Sequence, residues 1–371
     1  MAAQPSPQDR SHRDGALQRL CRRIRRRLGR LKNRIFAPDL PGGPDQGVVE
    51  TGPTGAVVHE TPARPKLPRV PHHTPLDQMV HRFVISAGRA GSTFIAIALN
   101  MHPKVCCQIE SHHLPLLIDA FGDEPASPRA LLAVTMQAKF HTGAVIVEHS
   151  LDRLDIDRSA FFDWQQRLIA DHDRMSIHAF QTALADFFLT ETGKSIFVDK
   201  TPCYGWRMAD LRHALPRTRF VNLVRDCVPS VRSMLQHEGF IAKMRAGETN
   251  WTDILQRHDF RTIDVKTPVG TPQDIRDMGL LWAKRTAVAN ARADLPPVRD
   301  LRYEDLLSSP EAFLRALCDD IDIPFDAAWA QEVIAMIAPS QTSDSVSPDD
   351  AFAAILEIPE IRQVRSRLGY V

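Results

Sequence analysis

The sequence lacks any run of about 20 apolar residues, the length that a helix needs to cross a bilayer. We therefore expect no membrane-spanning helix, and the N-terminus also lacks the apolar centre of a secretion signal. The six cysteines show no spacing typical of a metal site, because Cys106 and Cys107 are adjacent and the others are scattered. This usage predicts reduced thiols in a cytoplasmic protein without a bound metal.

Positive charge is concentrated near the N-terminus. Residues 19–34 contain nine Lys and Arg and no acidic residue, whereas the net charge of the whole 371-residue chain is only +1, so the rest is acidic. Within residues 17–36, apolar residues recur at steps of three and four, which predicts an amphipathic helix. Such a helix fits the surface of an anionic membrane, but a solvated helix, or one packed on the body or on a partner, has the same pattern.

Composition divides the chain near residue 78. Pro and Gly are frequent from residue 37 to residue 80, which indicates a linker. We predict a basic helix with a linker at 1–78 and one folded domain at 79–371. In the domain, helical patterns alternate with short apolar runs at Phe83–Ser86, Val105–Ile109, Ser195–Val198, Phe220–Val224 and Val298–Tyr303. This alternation predicts an α/β fold, a parallel sheet flanked by helices, with a loop-rich insert at 240–272.

The first strand leads into a helix through the loop Gly88-Arg89-Ala90-Gly91-Ser92-Thr93. Backbone N–H groups at a helix start, two glycines, two hydroxyls and an arginine suit phosphate or sulfate, although an ordinary turn with a capping Ser has similar composition. The nucleotide-triphosphatase P-loop requires a lysine before its Ser or Thr. Gly91 occupies that position here, so ATP hydrolysis is poorly supported.

The loop Arg89–Thr93 resembles the R-S-G-T-T loop of sulfotransferases that use 3′-phosphoadenosine 5′-phosphosulfate (PAPS), with Ala90 at the usual Ser. In that family the loop holds the 5′-phosphosulfate. Arg225 at a strand end and Ser233 eight residues later resemble the family's 3′-phosphate site. The resemblance implies a P-loop-like sulfotransferase fold, PAPS as co-substrate and no metal. It implies cofactor contacts from Arg89, Ala90, Gly91, Ser92, Thr93, Arg225 and Ser233.

Other motifs resemble tyrosylprotein sulfotransferases. Residues 199–202, Asp-Lys-Thr-Pro, are similar to their N-K-D-P segment, and residues 102–105 are similar to their H-P-x-V stretch, with a glutamate soon after. The segments Leu301–Leu306 and Arg367–Tyr370 also recur in these enzymes. His237 departs from the pattern, because an arginine is expected there.

The resemblance implies Glu110 as the general base, with His112 or His113 as the alternative. Lys200 and Arg89 are implied to stabilise the charge that develops on the donor. The competing interpretations are that Glu110 is an ordinary surface glutamate and that Lys200 pairs with the preceding aspartate. The aromatic residues at 282 and 303 are predicted to pack in the core.

The acceptor is predicted to carry a hydroxyl, in a lipid, glycan, small molecule or tyrosyl group. Residues 111–193 and 240–272, where the resemblance fades, would choose it. We expect no nucleic-acid partner, and peripheral contact with an anionic membrane through residues 17–36. Two rival functions remain: a P-loop-type kinase that uses ATP, and a non-catalytic, membrane-associated nucleotide-binding protein.

Overall fold

The computed structural model describes residues 72–139, 145–248, 262–288, 296–337 and 350–370. The predicted amphipathic helix at 17–36 lies outside these ranges, as does the linker up to residue 71, so both stay predictions. In the described ranges, no helix combines the length and the apolar character needed to cross a membrane.

Five parallel strands form a sheet in the order β2-β3-β1-β4-β5. The strands are β1 (His81–Ser86), β2 (Val105–Ile109), β3 (Ile196–Lys200), β4 (Thr218–Val224) and β5 (Arg299–Arg302). The central strand β1 is buried at almost every position, since helices cover both faces of a parallel sheet. The prediction of a parallel α/β fold is confirmed.

In the described ranges, helices occupy the connections between the strands and the segment after β5. They are α1 (Ser92–Met101), α2 (His113–Phe121), α3 (Pro128–Thr135), α4 (Ile146–Leu154), α5 (Arg158–Asp171), α6 (Ile177–Thr192), α7 (Met208–Ala214), α8 (Cys227–Met234), α9 (Glu238–Ala246), α10 (Pro272–Ala287), α11 (Tyr303–Ser308), α12 (Pro310–Asp320), α13 (Ala327–Met336), α14 (Asp350–Ile355) and α15 (Pro359–Arg367). A 3-10 helix at Pro202–Arg207 joins β3 to α7.

The sheet separates two apolar cores. Phe83 and Ile85 belong to one cluster, with Phe180 of α6, whereas Val84 belongs to another, with Leu314 of α12. This division follows from the strand geometry, because successive side chains point to opposite faces. Both faces of β1 are therefore covered, and the parallel strands all end at one edge of the sheet.

The structure differs from the sequence prediction in some connections. Helix α9 extends to Ala246, inside the region 240–272 that was predicted to be loop-rich, and helices α2, α4, α11, α14 and α15 were not predicted. Each of these helices has nine residues or fewer, so each shows too few turns for a clear periodicity. Lys200 was expected after a strand and is instead the last residue of β3.

Candidate active site

The loop between β1 and α1 has a backbone that requires glycine at two positions. Gly88 has φ +94° and Gly91 has φ +76°. A Cβ on Gly88 would collide with the Phe240 ring, and one on Gly91 would lie 2.5 Å from Tyr303 Cδ2. The Ser86 hydroxyl accepts a hydrogen bond from the Gly88 N–H at 3.1 Å. These contacts hold the loop in one shape at the carboxyl edge of the sheet.

The first turn of α1 can receive an anion. Gly91 precedes the helix in a left-handed conformation, no side chain caps it, and its first turn has no acidic residue. The backbone N–H groups there have no partner within the helix, and the helix dipole adds positive charge. Ser92 is buried and Thr93 is half-buried beside this turn. Ala90 is only 2% exposed and packs in the core, so it offers a ligand its backbone alone.

Arg89 joins the two predicted phosphate-binding elements. Its Nε donates a hydrogen bond to Ser233 Oγ on α8 at 2.8 Å. Burial and the charge of Arg225 lower the pKa of Arg89, while Glu110 opposes them. Residues from three separate motifs therefore act on one guanidinium. We call the loop 87–93 with Arg225 and Ser233 the anion cradle.

Arg225, directly after β4, is held from two sides. Its guanidinium carbon lies 4.9 Å from the centre of the Tyr303 ring, which is a cation–π contact. Its carbonyl accepts a hydrogen bond from Trp282 Nε1 at 3.2 Å. Trp282 is 1% exposed and packs in the core. Tyr303 is half-buried. Its ring contacts Arg225 and also fills the space that a Cβ on Gly91 would occupy, so it lines the candidate site.

The C-terminal segment secures the residue after Arg225. Asp226 accepts hydrogen bonds from Arg365 of α15 at 2.8 and 3.1 Å, and its N–H donates to Glu304 Oε1 at 3.0 Å. The Tyr370 hydroxyl donates to Glu304 Oε2 at 2.8 Å. The two motifs at 301–306 and 367–370 therefore meet at Glu304, beside the start of α8.

Glu110 and Lys200 form an ion pair at the ends of β2 and β3. Lys200 Nζ lies 2.9 Å from Glu110 Oε1, and the Glu110 N–H donates to the Lys200 carbonyl at 2.7 Å. The Lys200 side chain is fully buried, whereas 32% of the Glu110 side chain is exposed. Burial raises the pKa of Glu110, but Lys200 and His112 outweigh it and bring the pKa well below its ordinary value. The carboxyl group is therefore ionised.

A buried hydrogen-bond network supports the backbone beside Glu110. Ser111 Oγ donates to Asp199 Oδ2 at 2.6 Å and also contacts the Tyr204 hydroxyl at 2.6 Å. Thr201 donates to Asp199 Oδ1 at 2.7 Å. Residues 110 and 112 have φ of 60° and 52°, values that residues other than glycine rarely adopt. The network holds this strained backbone in place.

His112 and His113 point to different partners. His112 Nε2 lies 3.8 Å from Glu110 Oε2, and its Nδ1 lies 3.2 Å from Cys203 Sγ. His113 Nε2 instead contacts Gln181 Oε1 at 2.8 Å. Burial lowers the pKa of His112, but Cys203 and Glu110 raise it to about 9. Of the two alternative bases, only His112 thus lies against Glu110. We call Glu110, Lys200, His112 and Cys203 the base cluster.

The profile of the sulfotransferase family matches residues 83–327, a segment that contains the cradle and the base cluster. The chain belongs to the sulfotransferase family. The match is to the family as a whole, so the likeness to tyrosylprotein sulfotransferases stays a prediction. No protein matches the chain in the comparison with curated sequences.

Solved structures with the same general arrangement include other sulfotransferases. The sulfotransferase domain from the curacin biosynthetic pathway is 16% identical, has a TM-score of 0.44, and aligns over 79% of this chain and 98% of its own. The domain from the olefin synthase of Synechococcus PCC 7002 is 16% identical, with a TM-score of 0.43 over 82% and 98%. Sulfotransferase STF9 from Mycobacterium avium is 15% identical, with a TM-score of 0.39 over 79% and 77%.

Sequence reasoning missed two buried cations near the cradle of this sulfotransferase. Arg285 Nε of α10 donates to the Ala87 carbonyl at 2.6 Å, which ties α10 to the glycine loop. Lys243 Nζ of α9 lies 4.4 Å from the centre of the Phe240 ring. Burial, followed by the charge of Arg285, lowers the pKa of Lys243 to about 7. Both residues lie within ordinary helical sequence, so no motif pointed to them.

The arrangement places an anion-binding loop and an ionised carboxylate at one sheet edge. Family membership supports transfer of a sulfuryl group to an acceptor hydroxyl. Such transfer needs groups that stabilise the charge developing on the sulfuryl donor and a group that accepts the proton of the acceptor hydroxyl. The anion cradle carries two arginines, and Glu110 of the base cluster is an ionised and partly exposed carboxylate.

Proposed function

We propose that this sulfotransferase takes its sulfuryl group from PAPS and transfers it to an acceptor hydroxyl. The observation that carries the proposal is the 2.8 Å hydrogen bond between Arg89 and Ser233. This contact supports the proposal because the predicted 5′-phosphosulfate loop and the predicted 3′-phosphate site are adjacent there, as one shared nucleotide would require. Two separate anion sites facing apart would have excluded a single bisphosphorylated ligand.

The residues of the anion cradle fit such a donor. The uncapped first turn of α1 and the hydroxyls of Ser92 and Thr93 would hold the 5′-phosphosulfate. Arg225 and Ser233 would hold the 3′-phosphate, with the guanidinium fixed against Tyr303. Arg89 would lie between the two groups. When bound, the donor supplies the sulfuryl group. Its negative charge would then cap the N-terminus of α1, which no side chain caps.

Glu110 is the proposed general base, and it removes the proton from the acceptor hydroxyl. Its partial exposure makes it accessible to an acceptor, whereas Lys200 is enclosed behind it. Lys200 and Arg89 are the proposed stabilisers of charge on the oxygen that leaves with the nucleotide. Lys200 would then be shared between the carboxylate and the donor. When Lys200 turns toward the donor, Glu110 loses its main cationic partner and becomes more basic, because burial alone raises its pKa.

The acceptor is proposed as a lipid, glycan, small molecule or tyrosyl group. Contact with an anionic membrane through residues 17–36 and a cytoplasmic location rest on sequence pattern alone. Helices α2 to α6 fall within residues 111–193, the region predicted to choose the acceptor. Side chains on these helices would therefore determine which acceptor binds.

Two measurements test the proposal. In thermal unfolding, 3′,5′-ADP should raise the melting temperature, since a ligand that binds the folded state stabilises it by mass action. ATP with Mg²⁺ serves as the matched comparison, and stabilisation by ATP–Mg²⁺ alone would favour a kinase instead. Transfer of radiolabelled sulfate from PAPS to a cell extract should depend on the protein. Binding of 3′,5′-ADP without any transfer would indicate a nucleotide-binding protein without catalysis.

A further inference from the structure

Cys203 stands apart from the other cysteines in the described residues. It lies in the 3-10 helix after β3, and its Sγ is 3.2 Å from His112 Nδ1. The other nitrogen of that imidazole faces Glu110 at 3.8 Å. A nucleophile, a base within hydrogen-bond reach and a third group that orients the base form the arrangement that activates thiols. The proposed sulfuryl transfer does not use this thiol.

The electrostatic surroundings of Cys203 favour the thiolate. Burial raises the pKa of the Cys203 thiol, but His112, Arg285 and Lys243 together lower it below its ordinary value. The pKa of Cys106 is raised to about 11 and that of Cys318 to about 12, both by burial. Burial also raises the pKa of Cys107 and Cys227. These four thiols remain protonated at neutral pH and serve as internal references.

Cys203 is almost enclosed, and its neighbours in the base cluster are more exposed than it is. Side-chain exposure falls from 32% at Glu110 to 10% at His112, and Cys203 is 6% exposed. The thiol thus lies one side chain behind the carboxylate that faces solvent. A reagent must be small to reach it, and hydrogen peroxide is the smallest common oxidant of thiolates.

We propose that Cys203 is a modification site that reacts with hydrogen peroxide. The thiolate sulfur attacks one peroxide oxygen, so that an S–O bond forms and the O–O bond breaks. Hydroxide leaves and takes a proton from the His112 imidazolium to become water. The sulfur is oxidised by two electrons to a sulfenic acid, and the peroxide is reduced. The product has lost the thiolate–imidazolium pair and carries an added oxygen in a closely packed position, so His112 no longer faces Glu110 in the same way.

The test compares oxidation of the cysteines within one folded chain. The full-length protein is treated with hydrogen peroxide for set times, quenched with catalase, and unfolded in dimedone, which captures sulfenic acids. Peptide mass spectrometry then reports each cysteine separately. Cys203 should be oxidised at least about tenfold faster than the four reference cysteines. Equal rates for Cys203 and the references would overturn the proposal.

Two variants and a pH series examine the role of the imidazole. His112→Gln should slow oxidation of Cys203 about tenfold, whereas His213→Gln, at an exposed histidine paired with Asp123, should leave it unchanged. An unchanged rate in folded His112→Gln would contradict the proposal. If that variant fails to fold, the wild-type pH series decides. Between pH 9 and pH 7 the rate should fall less than that of an ordinary thiol, whose thiolate fraction falls about 25-fold over this range. A fall as steep as that of an ordinary thiol would contradict the proposal.

A functional arm rests on the proposed function. Peroxide should abolish sulfuryl transfer by the wild-type protein, dithiothreitol should restore it, and Cys203→Ser should resist the loss. If the protein transfers no sulfate at all, the oxidation rates still decide whether Cys203 is the reactive thiol. Full activity of a wild-type protein with oxidised Cys203 would show that modification does not control the site.

Discussion

The anion cradle and the base cluster lie at the same sheet edge but are built in different ways. The cradle depends on backbone shape and on side chains that come from a loop, a strand end and a helix. The base cluster depends on buried side chains that hold one another, with Lys200 at 0% exposure beside Glu110. In the proposed mechanism the cradle binds the donor, whereas the base cluster redistributes charge during the reaction. We therefore expect binding and chemistry to respond to different substitutions.

Glu110→Gln should have the largest effect. The amide keeps the shape but cannot accept the proton, so kcat should fall about 10²- to 10⁴-fold. Affinity for 3′,5′-ADP should stay within a few-fold, because the cradle is intact. Steady-state kinetics and isothermal titration measure the two quantities. Glu124→Gln, at an exposed position, is the control. Near-normal turnover in Glu110→Gln would remove Glu110 as the base.

The pH dependence of kcat/KM for the donor distinguishes the two candidate bases. The pKa of Glu110 is well below 4.5, so a carboxylate base stays ionised and the rate should be level from pH 7 to pH 5. The pKa of His112 is about 9, so a histidine base would be protonated at neutral pH. In that case the rate would fall about tenfold per unit below pH 9, or about 10³-fold at pH 6. A falling profile would transfer the role to His112.

Lys200→Ala should lower kcat about 10²- to 10³-fold, the range for removal of one group that stabilises developing charge. The dissociation constant of 3′,5′-ADP should change little, since that ligand lacks the reacting sulfuryl group. Lys104→Ala, at an exposed lysine, controls for loss of a positive charge. If nucleotide affinity falls more than kcat, Lys200 acts in binding and the division between cradle and cluster is wrong.

Arg225→Ala should weaken 3′,5′-ADP binding about 10- to 100-fold, because a charge-assisted contact with the phosphate is lost. Arg232→Ala is a matched control, because Arg232 lies on α8 and contacts the Phe352 ring at 4.7 Å instead. Titration calorimetry compares the two variants. Equal losses would show that the binding depends on total positive charge and not on this cradle.

Tyr370→Phe should have the smallest effect. It removes the hydrogen bond from the Tyr370 hydroxyl to Glu304, worth about 1 kcal/mol of unfolding free energy. Turnover should fall less than in any variant above, because Glu304 only supports the residue after Arg225. Urea unfolding measures the stability. A large loss of nucleotide affinity at unchanged stability would place this segment in the cradle itself.

Much of the fold was predictable from local pattern. The apolar run Val105–Ile109 is a strand with those bounds, and the run Phe220–Val224 ends at the last residue of β4. Apolar runs alternate with helical segments along the sequence, and this alternation predicted the parallel sheet. The short helices were not predictable, because segments such as Asp350–Ile355 complete fewer than two turns.

The candidate site was predicted less completely. The composition of the loop after β1 pointed to Arg89, whereas Arg225 and Ser233 came from the family resemblance. The sequence did not show that Lys200 lies against the Glu110 carboxylate, a contact that brings the pKa of Glu110 well below its ordinary value despite burial. Tyr303 packs against the core, as predicted, and its ring also contacts Arg225 of the cradle.

The sequence by itself determined which residue types end each strand, and thereby the parallel fold and the chemical character of its functional edge. Only the tertiary structure decided which of those residues meet. Arg89 contacts Ser233, and Cys203 contacts His112, across 144 and 91 positions of the chain. Such contacts depend on the strand order β2-β3-β1-β4-β5, which local periodicity does not encode. Charge interactions act over a few ångströms in space, so they follow the fold and not the distance along the chain.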